Sequence, residues 1–153
     1  MEFLAGLHPR LVHFPIALFI LYFFFETFGI VLSKEYLSKA AYIVLAAGVV
    51  TALGAVLTGN QAQDLAKQVL KNNYSSYGLL IDLHEEFATF TLWYFFAVLV
   101  LRTYLVLKKK FSGNLKYVFI PLALLGCYLI YITGVYGGEL VFKYGIGTQL
   151  LGK

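Results

Sequence analysis

The sequence predicts an all-α membrane protein, a four-transmembrane-helix antiparallel bundle. The chain of 153 residues is 60% hydrophobic and only 13% charged, whereas soluble domains average about 25% charged residues. It also contains four apolar segments close to the ~20 residues that a helix needs to cross the hydrocarbon core. A chain of this composition lacks the polar residues to cover itself, so its solvent is lipid.

The four spans form a single integral membrane domain, residues 1–153, and lie at about 12–32, 40–59, 87–107 and 117–136. The apolar stretch of the first span is too long for a signal peptide, and no small-residue cleavage site follows it. We therefore expect the first span to be retained. We find no soluble second domain and no long internal repeat.

The segments between and after the spans are predicted from their composition. Small residues at Gly48, Ala52, Ala55 and Gly59 allow close helix approach in the second span, either within the chain or in an oligomer. Residues 60–84 are predicted to form the longest loop, with helical character at 61–72. The glycine-rich tail after Tyr136 is predicted to end the fourth helix.

Loop charge orients the bundle. The loops after the first and third spans carry most of the lysines: Lys34, Lys39, Lys108, Lys109, Lys110 and Lys116. Because short loops rich in basic residues face the cytoplasm, both termini are predicted on the periplasmic side of a bacterial inner membrane. The net charge of +4 is modest, and nothing in its distribution supports binding to nucleic acid.

All three histidines are predicted at the periplasmic ends of spans. His8 and His13 lie at the entrance to the first span and His84 at the entrance to the third, and these two spans run in the same direction. His13 and His84 are each followed four residues later by alanine, Ala17 and Ala88, on the same helical face. Small side chains beside each imidazole leave room for a flat ligand between the helices.

This arrangement predicts a b-type haem with His13 and His84 as its metal ligands, since bundle cores hold cofactors between facing helices. Haem b needs no covalent attachment, in agreement with the single cysteine, Cys127. His8 and Arg10 are expected to support the propionates, because arginine binds carboxylates in bidentate fashion.

The predicted function is therefore electron transfer, alone or as a subunit of a redox complex, and no residue is assigned a catalytic role. The expected partners are the lipid bilayer and a quinone, a periplasmic cytochrome or a larger redox complex. Two alternatives stay open: a cofactor-free structural subunit, and a metal- or proton-handling membrane protein. Asp82, Glu85 and Glu86 lie beside His84 and offer further oxygen ligands.

Glu26 and Arg102 are predicted at similar depths, near the cytoplasmic ends of their spans. Isolated charges within a membrane are costly and pair with one another. We therefore predict a structural ion pair between these two side chains.

Two sequence strings, Leu7–Leu18 and Gly137–Gly147, together with His84 ahead of a span, resemble the bacterial membrane family designated domain of unknown function 2231. The resemblance implies a small four-helix inner-membrane module and supplies no established activity. The residues that carry the resemblance are His8, His13, Pro15, His84, Gly137, Gly138 and Tyr144. In this family frame, Gly137 and Gly138 are expected to bring the backbone close to a ligand.

Overall fold

The computed structural model describes residues 2–70 and 74–145. Within these ranges the chain is helical, with no strand. The helices are α1 (Glu2–Leu11), α2 (His13–Val31), α3 (Glu35–Leu70), α4 (Tyr74–Leu107) and α5 (Phe119–Phe142), with a 3₁₀ segment at Gly113–Val118. The all-α fold class is confirmed.

Four stretches are long and apolar enough to cross a membrane: Ala5–Val31, Glu35–Gln68, Gly78–Leu107 and Gly113–Phe142. Helices α1 and α2 together form the first. They are separated at Val12, which keeps helical dihedral angles, because Pro15 has no N–H to donate to the carbonyl four residues earlier. Helices α2 and α4 each contact α3 and α5, so α2 and α4 face each other diagonally across the bundle.

The bundle surface is apolar, as lipid requires. Large exposed side chains include Phe14, Phe24, Phe28, Val50, Leu57, Trp93, Tyr128 and Tyr131. A soluble protein rarely exposes contiguous apolar patches of this kind. The chain is a multi-pass membrane protein.

Two of the predicted boundaries were wrong. The helical character predicted at 61–72 is confirmed for 61–70, but these residues continue the second helix to Leu70 without a break, and α4 already begins at Tyr74. The fourth span continues to Phe142 through both glycines of the predicted tail, Gly137 and Gly138. A helical glycine costs about 1 kcal/mol relative to alanine, and at Gly137 a close helix contact described below offsets that cost. Residues 146–153 of the tail lie outside the described residues.

Two similar helix ends lie 76 residues apart, one in each half of the chain, although we found no long internal repeat in the sequence. Helices α2 and α4 both end in a Schellman turn at residues 76 apart, Ser33 with φ 52° and Lys109 with φ 55°. In each turn the following N–H donates to the carbonyl five residues earlier, at 2.9 Å for Lys34 and 2.8 Å for Lys110.

The same spacing of 76 residues relates the side chains that line the bundle axis. Positions spaced alternately four and three residues apart, the spacing of a coiled-coil contact face, are buried or half-buried on both diagonal helices. These positions, called the axial seam below, are His8, Val12, Pro15, Phe19, Tyr22 and Glu26 in the first half and His84, Ala88, Thr91, Phe95, Val98 and Arg102 in the second.

Candidate functional site

His8 of α1 and His84 of α4 meet across the axis at one end of the bundle, called the histidine end below. Their ring centroids are 6.3 Å apart and their planes are inclined by 71°. Both side chains are half-buried. The two residues are 76 positions apart in the chain, so they occupy equivalent places in the two halves.

The two imidazoles are held by the same kind of hydrogen bond. The Nδ1 atom of His8 lies 3.0 Å from the carbonyl oxygen of Ala55 on α3, and that of His84 lies 3.1 Å from the carbonyl oxygen of Thr133 on α5. A carbonyl oxygen only accepts, so Nδ1 carries the hydrogen in both rings. Each Nε2 then keeps its lone pair in the neutral ring, which is the form that binds a metal.

A glycine lies against each imidazole. A Cβ atom at Gly59 would be 2.9 Å from Cε1 of His8, and one at Gly137 would be 2.8 Å from Cε1 of His84. Each glycine follows by four residues the carbonyl that holds the same ring. The positions of both rings therefore require a glycine at 59 and at 137.

The structure does not bring His13 beside His84. His13 and Ala17 are exposed, because five residues of helix rotate a side chain by about 140° from the direction of His8. The predicted pairing of His13 with His84 is therefore corrected to His8 with His84. Ala88 does lie on the axial seam, half-buried and four residues after His84.

The remaining predicted site residues lie around this pair or on the surface. Arg10 is exposed, two residues after His8. Gly138 is half-buried, but a Cβ there would meet nothing within 4 Å, so it supports no close approach. Asp82 accepts a hydrogen bond from Nε2 of Gln63 at 2.9 Å. Within residues 2–70 and 74–145, no group of three or more His, Cys, Asp or Glu side chains is placed to hold a metal ion.

A pair of phenylalanines forms the middle layer of the axis. Phe19 and Phe95 stack with centroids 3.6 Å apart and planes inclined by 4°. They pack on Gly48 of α3 and Gly126 of α5 respectively, where a Cβ atom would overlap each ring. The stripe that runs from Gly48 to Gly59 therefore serves packing within the chain.

A buried ion pair forms the third layer and confirms the predicted link between Glu26 and Arg102. Arg102 Nη1 donates to Oε1 of Glu26, while Nη2 donates to the carbonyl oxygen of Ser38 at 2.7 Å and to its hydroxyl at 3.0 Å. Relative exposure is 0% for the Glu26 side chain and 2% for that of Arg102. The guanidinium also lies over the Phe111 ring, 4.2 Å from its centroid, so it is held from several sides.

The three layers have a signal in the sequence that the reasoning from single histidines missed. His8 and His84 are each followed after 11 residues by phenylalanine and after 18 by a charged residue, Glu26 or Arg102. The same spacing occurs once in each half. It distinguishes His8 from His13, because the residue 18 positions after His13 is the uncharged Val31.

Comparison with known proteins agrees with the fold. A sequence profile described as "Predicted membrane protein (DUF2231)" matches residues 5–150, nearly the whole chain. No curated protein matches the sequence. No solved structure matches it either. The chain therefore belongs to the DUF2231 family of predicted membrane proteins.

Proposed function

We propose that this protein is a b-type haem-binding electron-transfer module of the bacterial inner membrane, in which His8 and His84 would hold the haem iron. The observation that carries the proposal is the pair of imidazoles from diagonal helices, each with Nδ1 at a backbone carbonyl oxygen, which leaves the Nε2 lone pair available in the neutral ring. When bound, haem would supply one-electron chemistry. The chain's own residues would hold and orient it.

The spacing of the two rings supports a shared metal. An imidazole nitrogen binds a transition metal at about 2.0–2.1 Å, and the ring centroid lies about 1 Å behind that nitrogen. Two such ligands on opposite sides of one metal have centroids about 6 Å apart. The observed centroid distance between His8 and His84 is 6.3 Å.

The ligand set favours haem over a bare ion. The described residues join two imidazoles at the axis without a third metal-binding side chain. A structural zinc site takes four protein ligands, and a catalytic one takes three. A porphyrin supplies four nitrogens itself, so a haem iron needs only the two axial ligands that this chain offers.

A small residue near the pair favours a flat ligand. Ala88 follows His84 by four residues on the axial seam and is half-buried there. The exposed guanidinium of Arg10 follows His8 by two residues, within the same end of the bundle. Two residues of helix turn a side chain by about 200°, so Arg10 points away from His8, as His13 does, and the propionate role expected from the sequence is not carried over.

The loop charges favour a periplasmic site. Lysines cluster at the turns after α2 and α4, at the end opposite the histidines. Basic loops remain in the cytoplasm, so the histidine end faces the periplasm. Electron exchange with a quinone, a periplasmic cytochrome or a larger redox complex is then proposed at that face.

The test is the absorption spectrum of the purified protein reconstituted with haem b, in the parent and in three single variants. We expect a low-spin spectrum in the parent and in His13→Ala, and its loss or conversion to high spin in His8→Ala and His84→Ala. His13→Ala is the matched control, because its side chain is exposed at the same end of the bundle. Loss in His13→Ala with retention in His8→Ala would reject the ligand assignment, and a colourless folded parent would reject haem.

A cofactor-free structural subunit is the second candidate, because the same ring pair is also a favourable contact without a ligand. Two aromatic rings inclined by 71° at 6.3 Å form an edge-to-face contact that packs without a ligand. The two functions differ in one readout. If the pair only packs, added haem b leaves the thermal midpoint of the parent unchanged; if it holds haem, added haem b raises that midpoint in the parent but not in His8→Ala.

A further inference from the structure

We infer that the bundle consists of two copies of one unit with two membrane spans, residues 2–70 and 74–145, related by a pseudo-twofold axis along the bundle. We infer also that the opposite charges of Glu26 and Arg102 determine that each unit packs against the other rather than against its own kind.

Equivalent residues of the diagonal helices touch each other at the axis. His8 meets His84, Phe19 stacks on Phe95, and Glu26 pairs with Arg102, and the members of each pair are 76 positions apart. Contact between equivalent positions at three successive depths is what a twofold axis between two parallel helices produces. Membrane proteins with parallel internal repeats have such an axis along the membrane normal.

Helices α3 and α5 are related in the same way, but equivalent residues are 78 positions apart instead of 76. The carbonyls that hold the imidazoles belong to Ala55 and Thr133, and the glycines against those imidazoles are Gly59 and Gly137. Gly48 and Gly126, which pack on Phe19 and Phe95, are also 78 positions apart. The two offsets differ because the turn after α4 is longer than the turn after α2 by two residues.

Of the three contact layers at the axis, the charged layer is the one in which the two units carry different residues. A histidine or a phenylalanine at the axis tolerates a copy of itself as its neighbour. Two buried glutamates or two buried arginines would repel each other without any partner, whereas Glu26 and Arg102 neutralise one another. Repulsion between like charges disfavours the packing of a unit against a copy of itself. This repulsion adds to the specificity that the attraction between Glu26 and Arg102 provides.

The test is a charge exchange, Glu26→Arg with Arg102→Glu, compared with the two single changes. In the parent, the guanidinium of Arg102 donates to the carbonyl oxygen of Ser38. The twofold relation makes Lys116 the counterpart of Ser38, so a guanidinium introduced at position 26 would lie near the carbonyl of Lys116. We expect each single change to lower the yield of monodisperse protein in detergent by about tenfold or more, as for a buried pair that loses one partner. We expect the exchange to recover that yield to within about threefold of the parent, because the buried charges are again paired.

The control is the exposed pair Glu35 and Lys39, whose Oε1 and Nζ atoms are 2.9 Å apart. Reversal of either charge there should leave the yield nearly unchanged, since exposed pairs contribute little. If the exchanged chain is no better than the single variants, positions 26 and 102 are not interchangeable and the role of charge in pairing is rejected.

A second variant tests the duplication independently of charge. A circular permutant that begins at Tyr74, joins residue 153 to residue 1 through a short Gly/Ser linker and ends at Leu70 retains every side chain of the axis. Under the twofold relation, the new junction from α5 to α1 is the counterpart of the connection from α3 to α4 in the parent. We expect a thermal midpoint within a few degrees of the parent, and failure to fold with linkers of several lengths would overturn the duplication.

Discussion

The glycine against each imidazole gives the sharpest prediction on the histidine end. Gly137→Ala places a methyl group 2.8 Å from Cε1 of His84, and Gly59→Ala places one 2.9 Å from Cε1 of His8. Ordinary carbon contacts are near 3.5–4.0 Å, so each ring must move by several tenths of an ångström. Movement of the His84 ring strains its hydrogen bond to the carbonyl of Thr133, now 3.1 Å long.

Opposing contributions to the free energy of unfolding determine whether these alanine variants are less or more stable than the parent. Overpacking in a well-packed core costs about 1–3 kcal/mol, and a weakened hydrogen bond adds up to about 1 kcal/mol. Alanine in place of a helical glycine gains about 0.5–1 kcal/mol. We therefore expect Gly137→Ala to lower the free energy of unfolding by about 1–3 kcal/mol, with Gly59→Ala similar.

The assay is the thermal midpoint of the detergent-solubilised protein, followed by size-exclusion chromatography after heating. Matched controls lie on the same helices: Gly138→Ala on α5 and Gly54→Ala on α3, where an added Cβ meets nothing within 4 Å. The controls should match or exceed the parent, because they gain helix propensity without a clash. Equal midpoints for Gly137→Ala and Gly138→Ala would refute the close contact between the glycine and His84.

Three further changes probe the other layers. Phe95→Ala removes the ring stacked on Phe19 and should destabilise the protein by about 3 kcal/mol, measured by the thermal midpoint; an unchanged midpoint would contradict the stack. Arg102→Gln leaves Glu26 buried without its partner and should cost about 3–5 kcal/mol, whereas the double change with Glu26→Gln should cost less than Arg102→Gln alone. Tyr94→Phe removes the hydroxyl donor to the carbonyl of Leu122 at 2.7 Å and should cost about 1 kcal/mol, against Tyr128→Phe as the exposed control.

Much of the architecture follows from composition and spacing alone. Four apolar stretches in a chain that is 13% charged require four spanning helices, and isolated charges at similar depths require a partner, as Glu26 finds in Arg102. The alanine four residues after His84 likewise indicated the correct face of α4. Each of these predictions depends on one local rule: the length of a span, the cost of burying a charge, or the period of the α-helix.

The choice between His8 and His13 depended on a relation that no local rule contains. Both residues precede the same apolar segment, and His13 is followed by a small residue four positions later, whereas Val12 stands there after His8. What selects His8 is packing against α3, through the carbonyl of Ala55 and the space left by Gly59. The extension of α5 through Gly137 has the same origin, because tertiary contact outweighs the low helix propensity of glycine.

The stacked phenylalanines have a consequence for transport along the axis. Phe19 and Phe95 are at most 1% exposed and lie in ring contact between the imidazole layer and the ion-pair layer. Apolar constrictions of this kind exclude a continuous file of water. The imidazole layer and the ion-pair layer are thus separated along the axis by a buried apolar layer, which opposes the movement of protons and ions between the two ends of the bundle.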